Sequence, residues 1–176
     1  IEYADFPTVE WTLHFKNPGP EETPILSDIQ AVDMQLACPG TGEFVLNHLA
    51  GDNCTPESYE PRRLKLTPKS EHRFAPAGGR PTSVGFPYFN LEWPGEGLMV
   101  VIGWPGQWAA QFTRDDGDGL RVRGGQELTR FRLRAGEEVR SPLVALQFWQ
   151  SDRVHAQNVW RRWMLAHNSP RDRDGK

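Results

Sequence analysis

The segment that most constrains the fold of this chain is residues 86–112, which read FPYFNLEWPGEGLMVVIGWPGQWAAQF. Apolar residues alternate with polar or small ones at both of its ends, and a continuous apolar run fills its middle. Pro and Gly interrupt the pattern at Pro94-Gly95 and again at residues 103–106, where tight turns suit residues that fix φ or tolerate a positive φ. We therefore predict three strands that form one antiparallel meander with a heavily aromatic face.

Segments on either side of this meander show the same period of two. Residues 9–15 alternate between apolar and polar side chains, which predicts one half-buried strand. Residues 32–36 predict a second strand that closes at Pro39-Gly40, and residues 44–49 predict a shorter one. The run LVALQFW at 143–149 is apolar on both faces, so we expect that strand to be covered on both sides.

One segment near the end of the chain has the period of a helix. Ser151 or Asp152 is expected to cap its N-terminus, and Pro170 lies beyond its end. We expect the tryptophans of its apolar stripe to be buried, either against this sheet or against a domain that follows. The stripe consists of Ala156, Val159, Trp160, Trp163, Met164 and His167.

Dominant strands, turn signals every 8 to 12 residues or so and a single late helix predict an all-β fold, namely an antiparallel β-sandwich with one C-terminal helix. A length of 176 residues fits one domain. We assign residues 1–150 to the sandwich, 151–168 to the helix and 169–176 to a linker. The stretches at 50–60 and 76–83 have no usable period, and loops of this length inside a compact domain are usually functional.

Charge and hydropathy exclude two classes of partner. The formal charge of −3 gives no electrostatic reason to expect nucleic acid. The Arg-rich residues 121–140 are offset by glutamates, which favours a solvated sheet face. No run approaches the ~20 apolar residues that a membrane-spanning helix needs. We therefore expect a soluble chain that binds neither nucleic acid nor a membrane.

Side-chain patterns typical of catalysis or metal binding are missing from the sequence. Asp115, Asp116 and Asp118 occupy a Gly-rich segment that predicts a plain hairpin turn. The five histidines show neither HxH nor HExxH spacing and no CxxC accompanies them, so we expect no metal and no cofactor. Cys38 and Cys54 either are reduced or form one bridge, and we expect them to be reduced.

Aromatic surface is the remaining candidate for function. Indole rings stack on sugar rings and carry a polar N–H for hydroxyls. The spacing of Trp108, Trp160 and Trp163 favours core packing, whereas Trp93 and Trp104 stand beside Pro and Gly at turns. We therefore select Trp93 and Trp104 as candidate sugar-stacking residues.

Several segments together resemble one known family. They are FPTVEWTLHFKN at 6–17, PILSDIQAVD at 24–33, GGRPTS at 78–83, FPYFNLE at 86–92, IGWPGQWAAQF at 102–112 and the closing FW…QNVWRRWMLAHNSPR at 148–171. In combination they resemble the N-terminal β-supersandwich domain of family 36 glycoside hydrolases, the microbial α-galactosidases. The resemblance covers nearly the whole chain.

In that family the sandwich precedes a (β/α)8 barrel, which carries the two aspartates of a retaining mechanism. The resemblance implies that this chain holds no catalytic residue, ends where the barrel would begin and lacks some N-terminal strands of the complete sandwich. Its partners would be the barrel of the same parent enzyme and further copies in a homo-oligomer. A microbial enzyme of this kind is expected in the bacterial cytoplasm.

The resemblance also points to two loops, because in some family members a β-domain loop reaches towards a sugar-binding pocket. Asp52, Asn53 and Arg80 would then bind hydroxyls of a galactoside, although Arg80 has the alternative of pairing with a neighbouring acid. Two other functions stay open at this point. The chain is either a free-standing carbohydrate-binding module that uses Trp93, Trp104 or Tyr88, or a protein-interaction module that docks its helix on a partner.

Overall fold

A computed structural model describes residues 1–38 and 43–170 of the chain. The predicted strand end at Pro39-Gly40 and most of the predicted linker lie outside these residues. The strands are β1 (Thr8–Trp11), β2 (His14–Lys16), β3 (Leu26–Ser27), β4 (Val32–Ala37), β5 (Phe44–Ala50), β6 (Pro61–Leu66), β7 (Glu71–Phe74), β8 (Gly85–Trp93), β9 (Glu96–Gly103), β10 (Trp108–Arg114), β11 (Gly119–Gln126), β12 (Arg130–Phe131), β13 (Glu138–Arg140) and β14 (Leu143–Gln150). The helix α1 (Arg153–Trp163) follows and continues into a π-helical turn (Met164–Asn168).

Two antiparallel sheets form the body of the domain. One sheet has six strands in the order β1-β14-β9-β8-β5-β6, and the other has four in the order β4-β11-β10-β7. Apolar side chains of both sheets, such as Phe89 from the first and Phe112 from the second, meet in one buried core. Two-stranded ribbons, β12-β3 and β13-β2, flank these sheets. The predicted all-β antiparallel sandwich with one C-terminal helix is confirmed.

The prediction of a single meander at residues 86–112 was wrong in its second half. β8 and β9 do form an antiparallel hairpin, with Leu91 opposite Leu98. The other edge of β9 is taken by β14, so β10 has no free edge to pair with. The turn at 103–106 instead carries the chain into the four-stranded sheet, where β10 lies between β7 and β11. Both faces of β9 are buried, as a central strand requires.

The prediction of one strand across residues 9–15 was also wrong. β1 pairs with β14 in the six-stranded sheet, whereas β2 pairs with β13 in a separate ribbon. The strands that pair with them, β13 and β14, are also separate from each other. Pro142 lies between β13 and β14 and cannot donate a ladder hydrogen bond. Between the two strands the backbone N–H of Leu13 donates to Ser141 Oγ at 2.9 Å, and the Leu13 side chain is exposed.

A second apolar core lies on the outer face of the six-stranded sheet, where α1 covers it. Trp160 and Trp163 pack there with Met99, Ala145 and Trp149. Covering of β14 on both sides is therefore confirmed. The N-cap of α1 is Asp152, whose carboxylate accepts a hydrogen bond from the backbone N–H three residues on.

Burial of these rings answers one question left by the sequence. Trp163 is only 2% exposed and Trp160 only 9%, so neither ring is free to dock on a partner. The interaction-module interpretation of the helix fails for this reason. No pattern in the sequence predicted the π-helical turn at Met164–Asn168 that follows α1.

Candidate functional site

The two irregular stretches predicted from the sequence lie against each other. They form a loop pair, residues 51–60 and 75–84, at the beginning of β8. The Gly51 N–H donates to Val84 O at 3.0 Å and the Asp52 N–H donates to Thr82 O at 2.6 Å, as in a short piece of sheet. A Cβ on Gly51 would lie 2.4 Å from Thr82 O and from Val84 N, so only glycine permits this approach.

Asp52 is held in place by its own loop. Its Oδ1 accepts the Cys54 backbone N–H at 2.9 Å and the Ser58 hydroxyl at 3.0 Å. These two bonds, with the nearby positive charge of Arg80, lower the pKa of the Asp52 carboxyl below its ordinary value. Asp52 is therefore a carboxylate at neutral pH, an acceptor of fixed orientation on an accessible loop.

Asn53 and Arg80 tie the two loops together. Asn53 Oδ1 accepts the Val84 N–H at 3.2 Å. Arg80 Nη2 donates to the main-chain oxygen of Asp52 at 3.4 Å, and its Nη1 lies 3.8 Å from Cys54 Sγ. Arg80 forms no ion pair with a carboxylate among the described residues, so its exposed guanidinium bonds to loop backbone rather than to a neighbouring acid.

The 75–84 loop is anchored on the four-stranded sheet. Trp108, which is fully buried, donates its indole N–H to Pro81 O at 2.7 Å. Gln107 Nε2 donates to Pro76 O at 2.6 Å. The Ser83 hydroxyl donates to Ala77 O inside the loop. The spacing of Trp108 predicts its place in the core but not this second role, because a polar tip that binds a distant loop leaves no periodic signal.

Backbone strain is concentrated in the same loop pair. The φ angles of Cys54, Tyr59 and Val84 are 58°, 62° and 65°. These values lie in the left-handed region, which residues other than glycine seldom adopt. Gly78 and Gly79 also have positive φ. Val84 is β-branched and 58% exposed, so burial of its side chain does not offset the strain. Such strain is common at functional sites, which supports the choice of this loop pair.

The remaining predicted residues are not gathered into one site. Trp93 ends β8, whereas the loop pair precedes the first residue of β8, so about eight residues or ~26 Å separate them. Trp93 is half-buried, rests edge-on against Phe44 and donates its N–H to Glu96 Oε2 at 3.2 Å. The structure therefore brings Asp52, Asn53 and Arg80 together and leaves Trp93 apart.

Trp104 follows β9 and lies at the same end of the sheet as the loop pair, because Val101 of β9 is opposite Tyr88 of β8. Its ring is half-buried, and the Arg140 guanidinium covers one face at 5.7 Å from the ring centre. A cavity of about 230 Å³ adjoins it. Binding of a sugar by Trp93 or Trp104 stays a prediction.

The structure tests two other expectations, the turn at Asp115 and the state of the cysteines. Asp115 Oδ1 accepts the N–H groups of Gly117 and Gly119, which confirms the interpretation of the acidic cluster as a turn. Cys38 and Cys54 are both free thiols, as expected. Within residues 1–38 and 43–170, no group of three His, Cys, Asp or Glu side chains is placed to hold a metal ion. In the same part of the chain, no helix is both long and apolar enough to cross a membrane.

Parts of several solved structures share the fold of this chain. The chain superimposes on an α-galactosidase from Lactobacillus brevis with a TM-score of 0.76 and 14% identity, over 90% of this chain and 21% of that one. The family 36 α-galactosidase AgaA from Geobacillus stearothermophilus gives a TM-score of 0.69 and 18% identity, over 85% of this chain and 21% of that one. The galactosidase domain of an α-galactosidase-sucrose kinase, AgaSK, gives a TM-score of 0.66 and 19% identity, over 82% of this chain and 20% of that one.

In comparisons of sequence, no protein-family profile and no curated protein matches the chain. The chain spans about a fifth of the length of the solved α-galactosidases that share its fold. At these identities the similarity establishes the fold. The resemblance seen in the sequence is thus confirmed at the level of a domain shared with larger α-galactosidases.

Proposed function

We propose that this chain is the non-catalytic N-terminal β-domain of an α-galactosidase-like retaining glycoside hydrolase. One observation carries the proposal, namely that 90% of this chain matches only 21% of an α-galactosidase. A domain that is one part of a larger enzyme has no need of its own acid/base pair. The catalytic aspartates would belong to a barrel encoded beyond Lys176.

The loop pair is our candidate for the rim of the sugar pocket or for the interface between copies of the enzyme. Asp52 offers a carboxylate whose orientation is fixed by two hydrogen bonds. Arg80 offers an exposed guanidinium beside it. An acceptor and a fork of donors side by side suit the hydroxyls of a galactoside, since each hydroxyl both donates and accepts. The two loops are tied together at Gly51, and the 75–84 loop is anchored on Trp108, so these groups would be held in fixed positions.

The first test concerns the parent enzyme. The reading frame downstream of Lys176 is expected to encode a barrel of roughly 250 residues. The isolated chain is expected to release no nitrophenol from nitrophenyl α-galactoside. Turnover by this chain that survives repeated purification would refute the non-catalytic assignment. A downstream sequence that does not encode alternating strands and helices would refute the proposal that the parent protein is an α-galactosidase-like enzyme.

A second test addresses the loop pair in the full-length enzyme. Asp52→Asn keeps an oxygen for both loop hydrogen bonds and removes only the charge, and Arg80→Ala removes the guanidinium. Each is expected to raise KM for a galactoside about five- to tenfold, the effect of losing one or two hydrogen bonds. Asp116→Asn and Arg134→Ala are matched controls in exposed turns. Unchanged KM in both loop variants would exclude the loop pair from the pocket.

A carbohydrate-binding module that acts by itself is the second candidate. The observation in its favour is that Trp104 is half-buried beside an open cavity. Calorimetry with galactose, melibiose and raffinose distinguishes the two functions. Binding that Trp104→Ala abolishes would support the module, whereas the absence of heat with any of these sugars would exclude it.

A further inference from the structure

The cavity beside Trp104 is formed mainly by the two ribbons, and we call it the ribbon cavity. It measures about 230 Å³. Phe15 of β2 and Val139 of β13 are opposite each other in one ribbon, and Phe131 belongs to β12 of the other. Ile29 lies two residues after β3. The large apolar side chains of the lining are those of Phe15, Ile29, Trp104, Phe131 and Val139.

Most of these apolar side chains are not packed into a core. In the described part of the chain, Phe15, Ile29, Phe131 and Val139 belong to neither of the two apolar cores. Each of the four is half-buried, so each keeps surface that a ligand can reach. An apolar wall that faces empty space forfeits the dispersion contacts that a packed neighbour would supply. A ligand that fills the cavity would recover these contacts.

The volume of the ribbon cavity indicates the size of such a ligand. An apolar cavity of about 150 Å³ holds one benzene molecule. The ribbon cavity is larger, at about 230 Å³, so it has room for two fused rings or for one ring with a short side arm. The aromatic side chains of Phe15, Trp104 and Phe131 can contact a flat ring by edge or by face.

The hydroxyl groups of the lining already have partners within the fold. Thr129 Oγ1 accepts the Ile29 N–H at 2.8 Å. Ser141 Oγ accepts the Leu13 N–H at 2.9 Å and donates to Pro142 O at 2.8 Å. A ligand with hydroxyls on every edge would therefore find few partners here. The lining favours a ligand whose inserted body is apolar.

Arg140 is the charged residue among the described residues of the lining. It is exposed, and its guanidinium lies over the Trp104 ring at 5.7 Å from the ring centre. A guanidinium carries its N–H donors in its own plane, where a carboxylate can accept two of them at once. Within residues 1–38 and 43–170 the Arg140 side chain has no hydrogen bond and no ion pair, so these donors are available. The charge at the cavity therefore favours an anionic ligand.

We propose that the ribbon cavity binds a flat apolar carboxylate, namely an aromatic acid of one or two rings, with the ring in the cavity and the carboxylate on Arg140. The site involves neither the loop pair nor a catalytic barrel. It is therefore tested on the chain by itself, and its failure would leave the proposed function untouched. It differs from a carbohydrate-binding module in the ligand that Trp104 contacts.

The experiment is a titration of the chain, labelled with ¹³C at its Ile and Val methyl groups, with indoleacetate, with its neutral isostere indoleacetamide and with galactose. Ring currents of a bound indole are expected to shift the methyl signals of Ile29 and Val139, with Kd for the acid on the order of millimolar. Val84 and Val154 supply control signals, because both are exposed and outside the cavity lining.

The two other probes test the charge and the apolar character of the site. Indoleacetamide is expected to bind about fivefold more weakly than the acid, because it lacks the charge that Arg140 recognises. Galactose is expected to leave the Ile29 and Val139 signals in place. Tighter binding of galactose than of the acid at these methyl groups would overturn the proposal and support the carbohydrate-binding module.

Variants separate recognition of the charge from filling of the cavity. Arg140→Met is expected to weaken binding of the acid about five- to tenfold and to leave binding of the amide unchanged. Arg134→Met is its matched control, since Arg134 is also exposed and lies outside the lining. Val139→Phe fills part of the cavity and is expected to weaken both ligands, as observed at Ile29. Val154→Phe, at an exposed position on α1, is expected to weaken neither.

Three further results would overturn the proposal. Ile29 and Val139 signals that stay in place at the highest soluble concentration of the acid would mean that the cavity takes no such ligand. Equal Kd values for the acid and the amide, with no effect of Arg140→Met, would exclude recognition of a carboxylate. Binding that Val139→Phe and Val154→Phe weaken equally would place the ligand elsewhere on the surface.

Discussion

The contact at Gly51 gives the sharpest test of how the loop pair is built. Replacement by alanine places a methyl group 2.4 Å from Thr82 O and Val84 N and 2.5 Å from Gly85 N, whereas real Cβ contacts begin at 3.0 Å. All three neighbours are backbone atoms, so no flexible side chain can move aside. The φ of Gly51 is not in the left-handed region, and the effect is therefore steric. The loops must separate for alanine to fit.

Separation weakens the hydrogen bonds from the N–H groups of Gly51 and Asp52, each of which contributes about 0.5–1.5 kcal/mol. Forcing a methyl group into a packed contact costs about 1–3 kcal/mol more. Alanine normally gains about 0.4–1 kcal/mol over glycine by restricting the unfolded chain. The net loss in free energy of unfolding is about 2–4 kcal/mol, which lowers Tm by roughly 5–15 °C for a chain of this size.

Calorimetric melting and urea unfolding measure this loss, and amide hydrogen exchange at Val84 reports separation of the loops. Gly117→Ala is the matched control, since its nearest neighbour would be Asp115 Oδ1 at 3.7 Å and its φ is not positive. We expect the control to lie within about 0.5 kcal/mol of the wild type. Equal stability of the two variants, with unchanged exchange at Val84, would refute the reasoning.

Three further predictions concern the helix and the surface charges. Trp163→Ala is expected to lower the free energy of unfolding by about 3–5 kcal/mol because it empties the core under the helix, whereas Leu165→Ala, at an exposed position, should change urea unfolding little. Asp152→Ala removes the N-cap and should cost about 1 kcal/mol in the same measurement; an unchanged midpoint would contradict the cap. Two hydrogen bonds from Arg121 lower the pKa of Asp33, so this pair stabilises the fold above the unfolded pKa near 3.8 and stops doing so as pH falls through the folded value. Asp33→Asn should melt slightly below the wild type at pH 7 and together with it at pH 2, and a gap that persists in acid would exclude the pair as its cause.

Local patterns in the sequence determined the elements of this protein. Alternation at residues 32–36 and the helical stripe around Trp160 identified a strand and the helix, because side-chain burial repeats every two or 3.6 residues within a single element. The turn at Asp115 was equally local, since its carboxylate bonds to N–H groups two and four residues away. The combination of segments also identified the related family, whose fold the comparisons confirmed.

The pairing of these elements, and the contacts between distant residues, became visible only in the three-dimensional structure. Alternation is the same whichever sheet a strand joins, so residues 86–112 could not reveal that β14 occupies the edge of β9 and that β10 joins the other sheet. Asp52 and Arg80 are far apart in sequence and meet because Gly51 lets two backbones approach closely. The hydrogen bonds of Asn47 and Asn90 depend on which partner each amide finds across the sheet. Periodicity is a property of one segment, whereas edges, close approaches and hydrogen-bond partners are properties of neighbours.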